Sequence, residues 1–265
     1  MANKRLEKIS VRIKKHKATF IVYIILRILV VACLIVALFR KDFQSAFICG
    51  LSLVLFSVPS FLAHRLKITL PSTLEVIILL FIFAAEILGE LGYYYVRVPH
   101  WDTILHTVNG FLCAAIGFAL IDILNTDKTI KFELSPLFVS VVSLCFSMTV
   151  GILWEFFEFF SDIILRTDMQ KDFIVNNIAS IALDETMRNK TVRIDDISSI
   201  IINGHTFEGG YIDIGLIDTM KDLIVNFAGA VVFSFIGYFY IKNRGKGKIA
   251  EKFIPKAQEE PKEAQ

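Results

Sequence analysis

Residues 136–165 read PLFVSVVSLCFSMTVGILWEFFEFFSDIIL, thirty residues with no basic side chain and no acidic one before Glu155. At ~1.5 Å of rise per helical residue, such a block is long enough to cross ~30 Å of hydrocarbon. A strand is far shorter, and a soluble helix of this length would carry a polar face along its whole run. Where acids do enter, at Glu155, Glu158 and Asp162, their spacing of i, i+3, i+7 puts them on one helix face. The stretch reads as a membrane span ending in an acidic stripe.

Working outward, five more apolar blocks appear: Phe20–Phe39, Phe43–Ala63, Leu74–Tyr95, Thr103–Leu124 and Ile217–Ile241. Of the 265 residues 55% are apolar and the mean hydropathy is +0.61, too little polar surface for a soluble domain of this size. The fold class implied is all-α, a polytopic transmembrane bundle of about six spans. Residues 1–19 read as a basic tail, 20–166 as spans one to five, 167–216 as an extracytoplasmic segment of ~50 residues. Residues 217–241 are then span six, and 242–265 a second tail whose end, from Pro255, has the Glu/Lys/Pro/Ala composition of disorder. The first block is a full span with no small-residue cleavage site after it, so it is a retained helix and not a signal peptide. Cys33, Cys49, Cys113 and Cys145 all lie within spans and lack CxxC spacing, which points to packing and away from disulfides or zinc knuckles.

Basic residues mark the cytoplasmic side of short loops. Seven stand in the N-terminal tail (Lys4, Arg5, Lys8, Arg12, Lys14, Lys15, Lys17) and seven after Ile241, whereas the long segment from Arg166 to Leu216 holds five. An even number of crossings and two basic tails agree, placing both termini in the cytoplasm and the chain in the cell membrane. The N-terminal basic stretch is also suited to anionic lipid. Its basic residues lack interleaved aromatics, so nucleic acid is not an expected partner; membrane lipid is.

Ionisable groups inside spans cost about 2.5–3.5 kcal/mol each near mid-membrane on insertion scales, so their placement carries information. Glu86 and Glu90 end span three; Asp102 and His106 open span four, followed by Asn109 and Gly110. Glu155, Glu158 and Asp162 end span five; Asp218 and Asp222 open span six, followed by Asn226 and Gly229. With the orientation above, all four stripes fall in the outer half of the bilayer. Facing carboxylate stripes with a histidine are a recurrent way for helical bundles to hold divalent ions. Oxygen ligands favour Mg²⁺, Mn²⁺ or Ca²⁺, and an added imidazole brings in Zn²⁺. The assignment is Glu86, His106, Glu155 and Asp222 as metal ligands, Glu158 and Asp218 as catalytic carboxylates, and Asp102, Asn109 and Asn226 toward substrate. Plainer readings stand beside it. Asp162, Glu90 and Asp102 are near enough to helix ends to meet headgroups and water, Asp218 suits an N-cap, and the whole set would serve as a helix-bridging polar network.

The elements Glu86-Ile-Leu-Gly-Glu90, Trp101-Asp-Thr-Ile-Leu-His106, Trp154-Glu-Phe-Phe-Glu158 and Asp218-Thr-Met-Lys-Asp222 resemble the YjdF-type family of bacterial and archaeal membrane proteins. The Asp-x-x-x-His start and the later Asp222, Asn226, Gly229 pattern are also similar to the VanZ-type family. Neither resemblance implies a settled activity. Three functions follow from the residues: a metal-dependent enzyme acting on lipid or a lipid-linked substrate, a proton- or cation-coupled transporter, and a non-catalytic assembly or stress-response protein. The spans show no paired helix breaks of the kind carriers use, which weighs against the second. In residues 167–215, Phe173, Ile174, Ile178, Ile181 and Ala182 suggest a short amphipathic helix, and Asn203-Gly204 a turn.

Overall fold

The computed structural model describes residues 17–65, 68–126, 134–243 and 250–257. The expectation that the basic N-terminal tail rests on lipid concerns residues outside this set. Among the described residues five helices are long and apolar enough to cross a membrane: Thr19–Phe39, Phe43–Arg65, Trp101–Asp122, Pro136–Leu165 and Leu216–Lys242. The chain forms two compact units, residues 1–151 with 225–265, and residues 152–224.

In the first unit, α1 (Lys17–Phe39) is followed by α2 (Phe43–Leu55) and α3 (Val58–Arg65). Asp42 caps α2 by accepting from the Ser45 amide at 3.1 Å and the Ser45 hydroxyl at 2.6 Å. Those bonds hold its carboxyl below the usual range. Between α2 and α3 the helix is interrupted at Phe56–Ser57. Pro59 explains this: it has no N–H to offer the Leu55 carbonyl one turn back. Arg27 of α1 reaches that interruption, donating from Nη2 to the Ser57 hydroxyl at 2.7 Å and lying 4.5 Å over the Tyr23 ring. Its charge therefore stays within the bundle.

A short strand β1 (Ile68–Thr69) precedes α4 (Ser72–Phe83), which passes directly into a π-helix over Ala84–Leu91. The amide of Gly92 closes it on the Ile87 carbonyl five residues back, at 2.9 Å. Thus the block Leu74–Tyr95 does not form one uniform α-helix. It changes hydrogen-bond register within the apolar run, which is possible in lipid because every backbone group still bonds internally. Two of the apolar blocks are therefore irregular, a departure from the expectation of unbroken spans. After a single turn, α5 (Tyr94–Arg97), the chain enters α6 (Trp101–Thr126). α7 (Pro136–Leu165) begins in this unit and α8 (Leu216–Lys242) ends in it.

Two cores hold the unit together. Leu26, Val30, Cys49, Phe56, Leu79 and Ile87 join α1, α2, α4 and the π-helix. Leu74, Leu112, Phe118, Val139, Phe233 and Ile254 are at the centre of the other. The four cysteines are free thiols; Cys145 is exposed rather than packed inside. Ile254 was unexpected there. Composition predicts disorder from Pro255 onward, yet Ile254 and Pro255 are fully buried and Phe253 sits 5.3 Å from the Phe111 ring, edge to face. Beyond them β8 (Lys256–Ala257) pairs antiparallel with β1, Ile68 opposite Ala257. Composition failed because two buried residues, with the half-buried Phe253, decide the placement of a largely polar segment. Residues 258–265 fall outside the described set.

In the second unit the end of α7 and the start of α8 flank a β-rich segment. Strands β2 (Ile174–Val175) and β7 (Tyr211–Ile212) pair at its base. β3 (Ile178–Ser180) pairs with β4 (Val192–Ile194), and β5 (Ser199–Ile202) with β6 (His205–Glu208). The amphipathic helix expected around Phe173–Ala182 is absent from this segment. Its apolar residues are opposed by distant partners, Ile174 by Ile212 and Ile178 by Ile194, and cross-strand pairing overrides the local spacing. The Asn203-Gly204 turn is present, both residues having positive φ, as a two-residue hairpin turn requires.

Candidate functional site

The site begins with a close helix crossing. A methyl group on Gly110 of α6 would overlap the carbonyl of Asn226 on α8, and one on Gly229 would overlap the carbonyl of Thr107. The two helices meet backbone to backbone, which only small residues allow. Polar bonds fasten the joint. Asn109 Nδ2 donates to Asn226 Oδ1 at 3.2 Å, Asn226 Nδ2 reaches the Ser147 carbonyl of α7 at 3.5 Å, and the Ser147 hydroxyl donates to the Gly110 carbonyl at 2.8 Å. Ser143 donates to the Ala114 carbonyl at 2.6 Å one turn further along. Asn226 is fully buried, so its amide is engaged in joining three helices.

One turn before Gly110, α6 carries His106, and one turn before Asn226, α8 carries Asp222. His106 is 8% exposed, and its Nε2 lies 3.5 Å from Oδ1 of the half-buried Asp102. Asp222 is 3% exposed. Both helices run unbroken through these positions. Glu86 is half-buried and Glu90 exposed on the π-helix, where Gly89 leaves room for the Tyr95 ring. The structure thus separates the two members of that pair by burial.

In the second unit Glu155, Glu158 and Asp218 are buried, at 4%, 8% and 7% exposure. Trp154 Nε1 donates to Glu158 Oε1 at 2.8 Å, fixing that carboxylate. Asp218 Oδ2 accepts from the Lys171 amide at 3.0 Å. The start of α8 is held instead by Asp213, which accepts from the Ile217 and Phe173 amides. Asp162 accepts from the Met169 and Gln170 amides at 2.7 and 2.9 Å and from the Thr167 hydroxyl at 2.8 Å, so it braces the turn after α7. Lys221 places its ammonium 3.4 Å from the centre of the Phe173 ring. Outside the helices, burial and then the carboxylates of Asp168, Asp213 and Asp162 push Asp172 above its ordinary value.

Residues 22–243 match the family described as predicted membrane protein (DUF2238). The chain belongs to this family. Comparison with curated proteins gives no match, and comparison with solved structures gives none. The match runs from within α1 to the end of α8 and includes all the acidic stripes; the VanZ-type likeness finds no support in it. This is a membrane protein with several apolar helices and buried Asp and His side chains in their polar turns.

Chemically, buried carboxylates and an imidazole along continuous helices can hold a cation or exchange protons. The serines of the joint were missed from sequence. Their signal was available: Ser143, Ser147 and Gly151 recur every fourth residue on α7, a small-residue face suited to close packing.

Proposed function

We propose that Asp102, His106 and Asp222 bind a divalent cation, and that the ion serves an enzyme acting on a membrane lipid or lipid-linked substrate. One observation carries this reading. The crossing at Gly110 and Asn226 is backbone-tight, and one turn before it α6 carries His106 and α8 carries Asp222. All three residues offer ligand atoms of the kind such an ion takes. Two carboxylates with one imidazole suit Mn²⁺ or Zn²⁺ better than the all-oxygen preference of Mg²⁺ or Ca²⁺. Glu86 and Glu155 would complete the shell. Glu158, held by the Trp154 indole, is the first choice as general base toward an ion-activated water, and Asp218 the second. Asn109 and Asn226 set the helix spacing and reach substrate only through it.

The orientation that supports a lipid substrate has both termini in the cytoplasm of a cell-membrane protein and residues 167–216 outside. Labelling of a cysteine introduced at Lys190 in intact cells by an impermeant maleimide tests it; no labelling until lysis would reverse the topology. On its ordered motifs we take the YjdF-type likeness as the finer family assignment. The cation reading is tested by purifying the protein in nanodiscs, measuring bound metal, and scanning melting temperature with Mn²⁺, Zn²⁺ and chelator. Retained metal and a rise on adding ion are expected; a metal-free protein indifferent to both would sink it.

The irregular helices favour a second reading. The π-helix bearing Glu86 and the interruption at Phe56–Ser57 are features of ion-coupled carriers. In that case cation flux into proteoliposomes would be measurable and lost in Glu155→Gln; flux unaltered by the substitution would remove this reading.

A further inference from the structure

Residues 166–215 are ordered without a core of their own. Among these described residues only Gly210 and Gly215 are buried. The large apolar side chains turn outward: Ile181, Met187, Ile201, Ile202 and Ile214 are 50% to 94% exposed. Two-stranded hairpins are marginal in water unless an apolar surface supports them. Exposed apolar side chains in this number mark an association surface.

Its position specifies the partner. Both ends of the segment run straight into long apolar helices, whose nearest turns expose Ile163, Ile164, Leu165 and Leu216. The exposed apolar residues of the segment therefore stand next in the chain to helix turns whose exposed side chains suit lipid. The β5–β6 hairpin springs from the same base, since the Ile197 amide bonds the Asn176 carbonyl at 2.8 Å and the Gly209 amide the Ser198 carbonyl at 2.7 Å. Four-residue arms reach only about 13 Å from there, at ~3.3 Å per residue. That hairpin is two-faced. Its register, Ile200 opposite Phe207 and Ile202 opposite His205, gathers Ile200, Ile202 and Phe207 on one side, with His205 at the turn end as the polar exception. Ser199, Thr206 and Glu208 occupy the other, with Ile201 as the apolar exception. Beside β2 and β7 lies an open groove of about 610 Å³, where Ile174, Val175, Ile178, Tyr211, Leu216 and Ile217 line an apolar part and Asn176, Asn177 and Asp213 a polar one.

We propose that this segment lies flat in the interfacial layer of the adjoining leaflet. The Ile200, Ile202 and Phe207 face enters the headgroup–acyl boundary, and the groove takes up the chain of a membrane lipid. Interfacial helices are held by the same balance of an apolar face below and polar groups above. The inference stands apart from the cation reading and would survive its failure.

The test compares environment-sensitive fluorophores attached at Ile202→Cys and Thr206→Cys, in a protein lacking the four native cysteines and reconstituted in phosphatidylcholine/phosphatidylglycerol nanodiscs. Nitroxide-bearing lipid is expected to quench the label at residue 202 several-fold more than that at 206, with aqueous iodide showing the reverse order. Equal behaviour at the two positions would overturn the proposal. So would shielding of residue 202 from both quenchers, which would mean a protein partner or a second copy. The unsubstituted protein supplies an independent reading: a photoactivatable diazirine phospholipid should mark residues 174–178 and 200–207. Adducts confined to the long helices would contradict it.

Discussion

Gly110 and Gly229 show what a single atom decides in this protein. Because a methyl group at either would strike a backbone carbonyl of the facing helix, neither can be accommodated by turning a side chain. Gly110→Ala and Gly229→Ala should each lower stability by about 1–3 kcal/mol through forced separation of α6 and α8. Gly50 of α2 has open space at the same position, so Gly50→Ala should be neutral or stabilising by up to about 1 kcal/mol. Melting in nanodiscs distinguishes the three; equal effects at all three positions would argue against the tight crossing. A second residue-scale case lies outside the membrane. Asp184 accepts from the Thr186 amide and hydroxyl and from the Arg188 and Lys190 amides, bonds that lower its pKa to about 2. Its folded value lies below the unfolded ~3.9, so the loop's stabilisation is complete above about pH 4 and is lost as pH falls toward 2. An NMR titration should therefore follow Asp184 to a midpoint near 2; a midpoint near 4 would mean those bonds are not formed.

At the scale of elements, the segment around Ile254 tests how far buried contacts outrank composition. Ile254 is enclosed by the core that includes Leu112, Phe118 and Phe233, and β8 ties the segment to β1. Ile254→Ala should cost about 2–4 kcal/mol, in the range for large-to-small core changes, whereas Lys252→Ala, at an exposed site, should change little. Chemical unfolding of both variants reads the difference, and an inert Ile254→Ala would return this segment to the disordered tail its composition suggested. What the sequence could show here was limited in a definite way. The long apolar blocks were legible because length alone separates a span from a core helix. The π-helix at Ala84–Leu91 was not, since a one-residue change of hydrogen-bond register leaves the apolar run unmarked. The strands at Ile174 and Ile178 were misread as helical because their partners, Ile212 and Ile194, lie up to 38 residues away in the chain.

For the molecule as a whole, the acidic stripes were legible as stripes, and their partners were not. Spacing placed Glu155 with Glu158 and Asp102 with His106, but no pattern revealed that Gly110 would meet Asn226 or that Ser147 would bond between them. Those contacts join α6, α7 and α8 at Gly110, Ser147 and Asn226. The central claim is that His106 and Asp222 share one cation. Pulsed EPR of the protein loaded with Mn²⁺ in nanodiscs tests this most directly, because a coordinating imidazole imprints a ¹⁴N hyperfine coupling on the metal. The account predicts that coupling in the native protein, its loss in His106→Ala, and at least tenfold weaker Mn²⁺ binding in Asp222→Asn. Bound Mn²⁺ with no nitrogen coupling, or affinity untouched by Asp222→Asn, would contradict it.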